Sequence, residues 1–183
     1  GYYLVKARTG RDLRQIGSGS TGARNAGRVL GKTGFMLTLL GDVLKGTLAG
    51  AVAGALQAPP WAVATALPAV AMGHVWPIQL GFSGGRGVAV GLGALAVCDL
   101  RLLGVLAATT LVAYAACRRF QASGLVGFAL LPAAAWTLEL PREILAGTTA
   151  LSCVVLFAHR TYILQWLQPL WKPCAGTTDR PGD

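Results

Sequence analysis

Hydroxyl, amide and guanidinium groups crowd one stretch of the chain, Gly17 to Gly31, which reads GSGSTGARNAGRVLG. Ser18, Ser20, Thr21, Arg24, Asn25 and Arg28 stand there among Gly17, Gly19 and Gly22. Glycines let backbone amides come close to an anion, and a helix starting behind them adds its dipole. Arginine supplies a planar fork suited to phosphate oxygens. The chemistry on offer is therefore the holding of a phosphate, with arginines resting on anionic lipid heads as the other reading. Gly17, Gly19 and Gly22 also satisfy the dinucleotide spacing G-x-G-x-x-G, and AGRVLGKT misses a Walker loop only because position 26 is Ala. A dinucleotide fold needs a buried strand before the first glycine, and the preceding ARTGRDLRQI is too polar to be one. No nucleotide is expected as a partner.

A second stretch, GHVWPIQLGFSGGRGVAV at residues 73–90, sets His74 before a Pro77 break and a turn holding Gly81, Gly84, Gly85 and Gly87 around Arg86. Histidine is the side chain best suited to moving a proton near neutral pH, and a helix-end histidine is as often structural. Two basic glycine loops brought together could face one anionic substrate. Asp42 and Lys45, at i and i+3 inside an apolar run, share a helix face and read as a mutual ion pair or as site residues. His159 and Arg160 end the last apolar run, where they could anchor an interface.

The elements that must position these groups are apolar. The 183 residues, read as one domain over residues 1–183, are 54% hydrophobic and 13% charged, with a mean hydropathy of +0.55. That balance predicts an all-α, polytopic transmembrane bundle. Apolar runs at residues 34–56, 60–80, 88–98, 102–117, 124–138 and 144–158 give six spans, the shorter ones needing helical flanks or shielding by neighbours. Gly46, Gly50 and Gly54 suit close helix packing in lipid. Threading these spans puts thirteen of the sixteen basic residues, Lys172 and Arg180 among them, on one side, against Arg101 and Arg142 on the other. The first side is then cytoplasmic, and it holds both glycine loops. The net charge of +9 thus sits in short clusters between spans, which argues against nucleic acid as a partner. The opening GYYLV reads as the exit end of a further N-terminal helix, which would bring the intact protein to seven spans. Cys98, Cys117, Cys153 and Cys174 lie far apart, and neither a disulfide nor a metal site is expected; the first three sit in or beside apolar segments, where cysteine behaves as a small buried hydrophobe.

GSGSTGARNAGRVLGKTG, GDVLKG, GHVWPIQLGFSGGRGVAV and HRTYI, in this order and over nearly the whole chain, resemble the bacterial integral-membrane acyl-phosphate:glycerol-3-phosphate acyltransferases. The resemblance implies seven spans in a bacterial inner membrane, with catalytic loops facing the cytosol. It implies acyl transfer from acyl phosphate to the 1-hydroxyl of glycerol 3-phosphate, giving lysophosphatidic acid and phosphate, with no cofactor. By motif it assigns Ser18 and His74 to catalysis, Ser18 by hydrogen bonding and His74 as proton acceptor or substrate orienter. It assigns Asn25, Arg28, Lys45, Gly84, Gly85, Arg86 and Gly87 to phosphate binding, with Asp42 and His159 in support. No nucleophile stands beside an evident base, so direct transfer without an acyl-enzyme is expected. The sequence departs from the family pattern at Ser20, Arg24, Ser83, Arg86 and Tyr162, and its ASGLV, with Ser123, only partly matches a serine-bearing family stretch. A paralogue that is inactive or acylates another phosphorylated acceptor is the alternative.

Overall fold

A computed structural model describes residues 1–171 of the chain, and Lys172, Cys174 and Arg180 lie outside the described residues. Eight helices follow one another: α1 (Tyr2–Thr9), α2 (Ala23–Ala55), α3 (Pro60–Val75), α4 (Val88–Cys98), α5 (Leu100–Cys117), α6 (Phe120–Thr137), α7 (Arg142–Ala158) and α8 (Arg160–Trp171). Short 3₁₀ turns at Leu13–Gln15 and Ile78–Leu80 sit in the two glycine-rich connections. The all-helical class follows from chemistry: backbone groups in lipid have no water to bond, so each apolar run satisfies its own as a helix.

Among the described residues four helices are long and apolar enough to cross a membrane, and five if α7 and α8, bent by 66° at His159, count as one span. The six-span expectation differs most at residues 88–98. There α4 has 11 residues and is only ~16 Å long, short of the ~30 Å hydrocarbon layer. Gly87 and Asp99 cap it at either end, and it packs against the much longer α2. Elsewhere the helices do extend beyond their apolar runs: α5, α6 and α7 each begin two to four residues earlier than hydropathy alone places them.

On α2 two stripes divide the surface. Gly34, Thr38, Asp42, Gly46 and Gly50 recur every four residues on the buried face. Leu37, Leu40, Leu44 and Leu48 lie exposed, as expected of a lipid-facing stripe. At Gly46 and Gly50 the stripe is bare because α4 crosses there closely. A Cβ on Gly93 would collide with the Val43 carbonyl, one on Gly46 would collide with the Val90 carbonyl, and Thr47 Oγ1 donates to Gly93 O at 3.3 Å. Of the predicted glycine series, Gly46 and Gly50 make this contact and Gly54 faces open space. Gly147 allows the same approach of α7 to Ala64 of α3. Leu67, Leu95, Leu102, Phe128, Leu131 and Leu151 fill the core between α3 and α7. Of the cysteines, half-buried Cys98 packs against this core while Cys117 and Cys153 are exposed, and all three are free thiols.

Gly31 breaks α2 with φ 65° and ψ −156°, a conformation that essentially only glycine adopts. The break turns Ala23–Leu30 away from the long axis, and Gly27 then packs on Phe35. A second, smaller apolar cluster of Tyr2, Val5, Leu13, Ala26 and Leu80 ties this turned segment to α1 and to both connections.

The close crossing has a measurable consequence. Gly93→Ala should cost about 1–3 kcal/mol through overpacking, whereas Gly54→Ala should stay within about 0.5 kcal/mol. Thermal unfolding of the two variants in one detergent measures the contrast, and equal midpoints would contradict the crossing.

Candidate active site

Residues 10–22 form almost no regular structure, so their carbonyls need partners. Asn25, 1% exposed, supplies them from the first turn of α2. Its Nδ2 donates to Leu13 O at 3.1 Å, Ile16 O at 2.8 Å and Ser20 O at 2.9 Å, and its Oδ1 accepts from the Ser18 amide at 3.3 Å. The expected phosphate ligand is therefore the hub of the loop, with its polar atoms already engaged. Gly17 is bare because a Cβ there would meet Asn25 Oδ1 and the Arg28 guanidinium. Ser18 sits exposed on the loop, and its hydroxyl makes no hydrogen bond among the described residues.

Two links fasten this loop to the second. The Thr21 amide donates to Gly84 O at 3.2 Å, and Arg14 Nη1 donates to Leu80 O at 2.9 Å. Arg14 is held in place by Asp12 at 2.6 Å and lies 5.2 Å over the Tyr2 ring. Hydrogen bonds from Arg14 pull the Asp12 carboxyl down to about 2, so the pair stays charged throughout the physiological range.

The second loop folds back on its own helix. The Gly84 amide donates to Val75 O at 3.1 Å and the Gly85 amide to His74 O at 3.0 Å. These amides, expected to face a phosphate, are spent on α3 carbonyls. What the glycines provide is room: a Cβ on Gly85 would overlap the His74 ring, and one on Gly84 would overlap the His74 carbonyl. Gly87, at φ 80°, makes the left-handed step into α4 and places Arg86 just before a helix N-terminus.

Two polar regions result. In the first, Asp42 Oδ1 lies 3.6 Å from His74 Nδ1 and 3.5 Å from Lys45 Nζ. The Asp42 and His74 side chains are nearly buried while Lys45 is exposed, so the lysine contact is weak and the carboxylate chiefly fixes the ring. All three line a cleft of about 470 Å³ that also includes Tyr2, Thr21 and Gln79. In the second region, Arg86 has its proton affinity lowered, first by burial and then by the charges of Arg24 and Arg28. The charges of Arg24 and Arg28 bear on Arg86 with no acid offsetting them, which leaves this side of the two loops basic. His159, 5% exposed, stands near this group and donates from Nδ1 to Val155 O at 2.8 Å, which leaves Nε2 as its acceptor. Arg160 lies 4.6 Å over the Phe157 ring.

Of the remaining sequence expectations, Ser123 is fully buried, bonded to Arg119 O at 2.9 Å, and Tyr162 packs on the apolar core. Neither lines the cleft. Sequence reasoning undervalued Arg24, which reaches across to Gln121 Oε1 at 2.8 Å. The pairing spans most of the chain, so no local spacing could have disclosed it.

The hub predicts that Asn25→Ala costs about 1–3 kcal/mol, because Ser20 O loses its donor and Leu13 O and Ile16 O keep only the Ile16 and Gly19 amides. Amide hydrogen exchange over residues 13–22 should accelerate while α5 and α6 keep their protection. Unchanged exchange in that loop would contradict the assignment.

Comparison with known proteins places this arrangement. The family described as glycerol-3-phosphate acyltransferase matches residues 1–168. Glycerol-3-phosphate acyltransferase 1 of Desulfitobacterium hafniense (strain Y51) is 44% identical over 91% of this chain and 83% of its own length. The glycerol-3-phosphate acyltransferase of Geobacter sulfurreducens is 41% identical over 89% of this chain and 84% of its own. A crystal structure of PlsY (YgiH), an integral membrane glycerol 3-phosphate acyltransferase in its glycerol 3-phosphate form, superposes with a TM-score of 0.81 at 25% identity, covering 91% of this chain and 84% of that one. The likeness to an integral membrane protein and the apolar helices agree on a multi-pass membrane protein. With two glycine loops joined over one basic site, in a fold shared with that enzyme, the chain belongs to the glycerol-3-phosphate acyltransferase family.

Proposed function

We propose that the chain, as one membrane-embedded acyltransferase domain, moves an acyl group from acyl phosphate to the 1-hydroxyl of glycerol 3-phosphate, giving lysophosphatidic acid and inorganic phosphate. The observation that carries this reading is the Thr21–Gly84 link. It joins the loop that carries Arg24 and Arg28 to the loop that carries Arg86, and we read the Asp42–His74–Lys45 cleft and these arginines as places for the two anionic substrates. The Desulfitobacterium relative and the solved enzyme, both named for glycerol 3-phosphate acylation, support the same acceptor. In this reading membrane lipid surrounds the bundle in a bacterial inner membrane, and the positive-inside balance supports a cytoplasmic side for the two loops.

In this mechanism the donor arrives activated, since phosphate is a good leaving group. The acceptor hydroxyl attacks the acyl carbon, the carbon–oxygen bond to phosphate breaks, and the hydroxyl proton ends on the departing phosphate. Arg28 and Arg86 neutralise phosphate charge, and Lys45 serves the open side of the cleft. Ser18 offers a hydroxyl from the loop to a phosphate oxygen. His74, fixed between Asp42 and Gly85, orients the acceptor, and Asn25 acts one step removed by shaping the loop. His159 supports the arginine group from behind. The gain comes mainly from positioning and preorganised charge.

The reading predicts acceptor-dependent release of phosphate, with stoichiometric lysophosphatidic acid, from the full chain reconstituted in vesicles with both substrates. Arg28→Ala should lower kcat/KM about 100-fold or more with an unchanged thermal midpoint. Absence of acceptor-dependent release in the unmutated protein would contradict the proposal.

A further inference from the structure

Between α4, α5 and α6 runs an apolar groove of about 540 Å³, lined by Val88, Leu92, Leu106, Thr110, Phe120 and Phe128 among others. Its end at Val88 lies two residues beyond Arg86, and at the same end stands Phe120, the first residue of α6. The Arg24 guanidinium lies 5.7 Å over the Phe120 ring and donates to the neighbouring Gln121. One aromatic ring is thus both a wall of the groove and the platform of an arginine. Gln121 Nε2 is buried there with no hydrogen-bond partner among the described residues, a donor that an anionic oxygen would satisfy.

We propose that Arg24 is a donor-binding residue, which holds the phosphate of the acyl phosphate at the mouth of the α4–α5–α6 groove while the acyl tail lies along it. The inference rests on the acyl-transfer reading above, and it gives Arg24, counted there only as one of three positive charges, a specific role toward the donor. Charge complementarity selects the occupant. The groove offers an apolar channel ending in guanidinium groups, and of the two substrates only the donor joins a long apolar tail to a phosphate. Glycerol 3-phosphate has no use for the channel. The Gln121 contact and the Phe120 platform keep Arg24 extended toward the groove, so less side-chain freedom is lost when the donor binds. The arginine fork matters here as well as the charge, because it can contact Gln121 and a phosphate oxygen together.

The test uses the full chain in vesicles, with the unmutated protein, Arg24→Gln and Arg24→Lys compared in two titrations. Acyl phosphate is varied at saturating glycerol 3-phosphate, and then the reverse. Arg24→Gln should raise the donor KM about tenfold and leave the acceptor KM within about twofold, with Arg24→Lys in between. An unchanged donor KM, or an equal rise in both, overturns the assignment. If Arg24→Gln instead loses only the thermal stabilisation given by phosphatidylglycerol, the groove belongs to a bilayer lipid and the assignment is equally overturned. An unmutated protein that shows no acceptor-dependent release at all brings down the acyl-transfer reading itself, and the inference with it.

Discussion

The site depends on one buried carboxamide. The basic loop before α2 is not a regular helix, and its backbone carbonyls are left short of partners beside an apolar bundle. Asn25 meets three of them at once and takes the Ser18 amide in return. With its shape fixed in this way, the loop can offer the Thr21 amide to Gly84, and the two glycine connections become one surface. Aspartate in place of Asn25 would present a carboxylate to the same three carbonyls, so isosteric replacement is no substitute for the amide.

The same economy governs the second loop and the bundle below. Gly84 and Gly85 matter less for amides offered to a ligand than for the space their missing side chains leave to His74. Asp42 lies on the same four-residue stripe as Gly46 and Gly50, where α4 crosses α2, and from there it reaches the His74 ring. Packing and chemistry therefore share one face of one helix. The glycine break at Gly31 then lets the segment carrying Arg24 and Arg28 leave the span and lie across its end.

Much of this was legible in the sequence, for identifiable reasons. Apolar runs are long-range in composition but local in cause, so the helices fell where hydropathy placed them, with their ends displaced. The 88–98 run has the hydropathy of a span, and Gly87 and Asp99 bound its helix at 11 residues. The two glycine loops were recognisable as partners from charge and side of the membrane. The roles within them were not. Spacing could not reveal that Asn25 faces inward, that the Gly84 and Gly85 amides are spent on α3, or that Arg24 meets Gln121 from 97 residues away. These are tertiary facts, settled by which carbonyls are left unpaired once the helices pack.

The central claim is that this surface transfers an acyl group rather than a phosphoryl group. Acyl phosphate carrying ¹⁸O in its bridging oxygen separates the two directly, with mass analysis of phosphate and lysophosphatidic acid after turnover by the full chain. Attack at the acyl carbon predicts all of the bridging label in the released phosphate and none in the lipid product. Label retained on the acyl fragment would show cleavage at phosphorus and contradict the account.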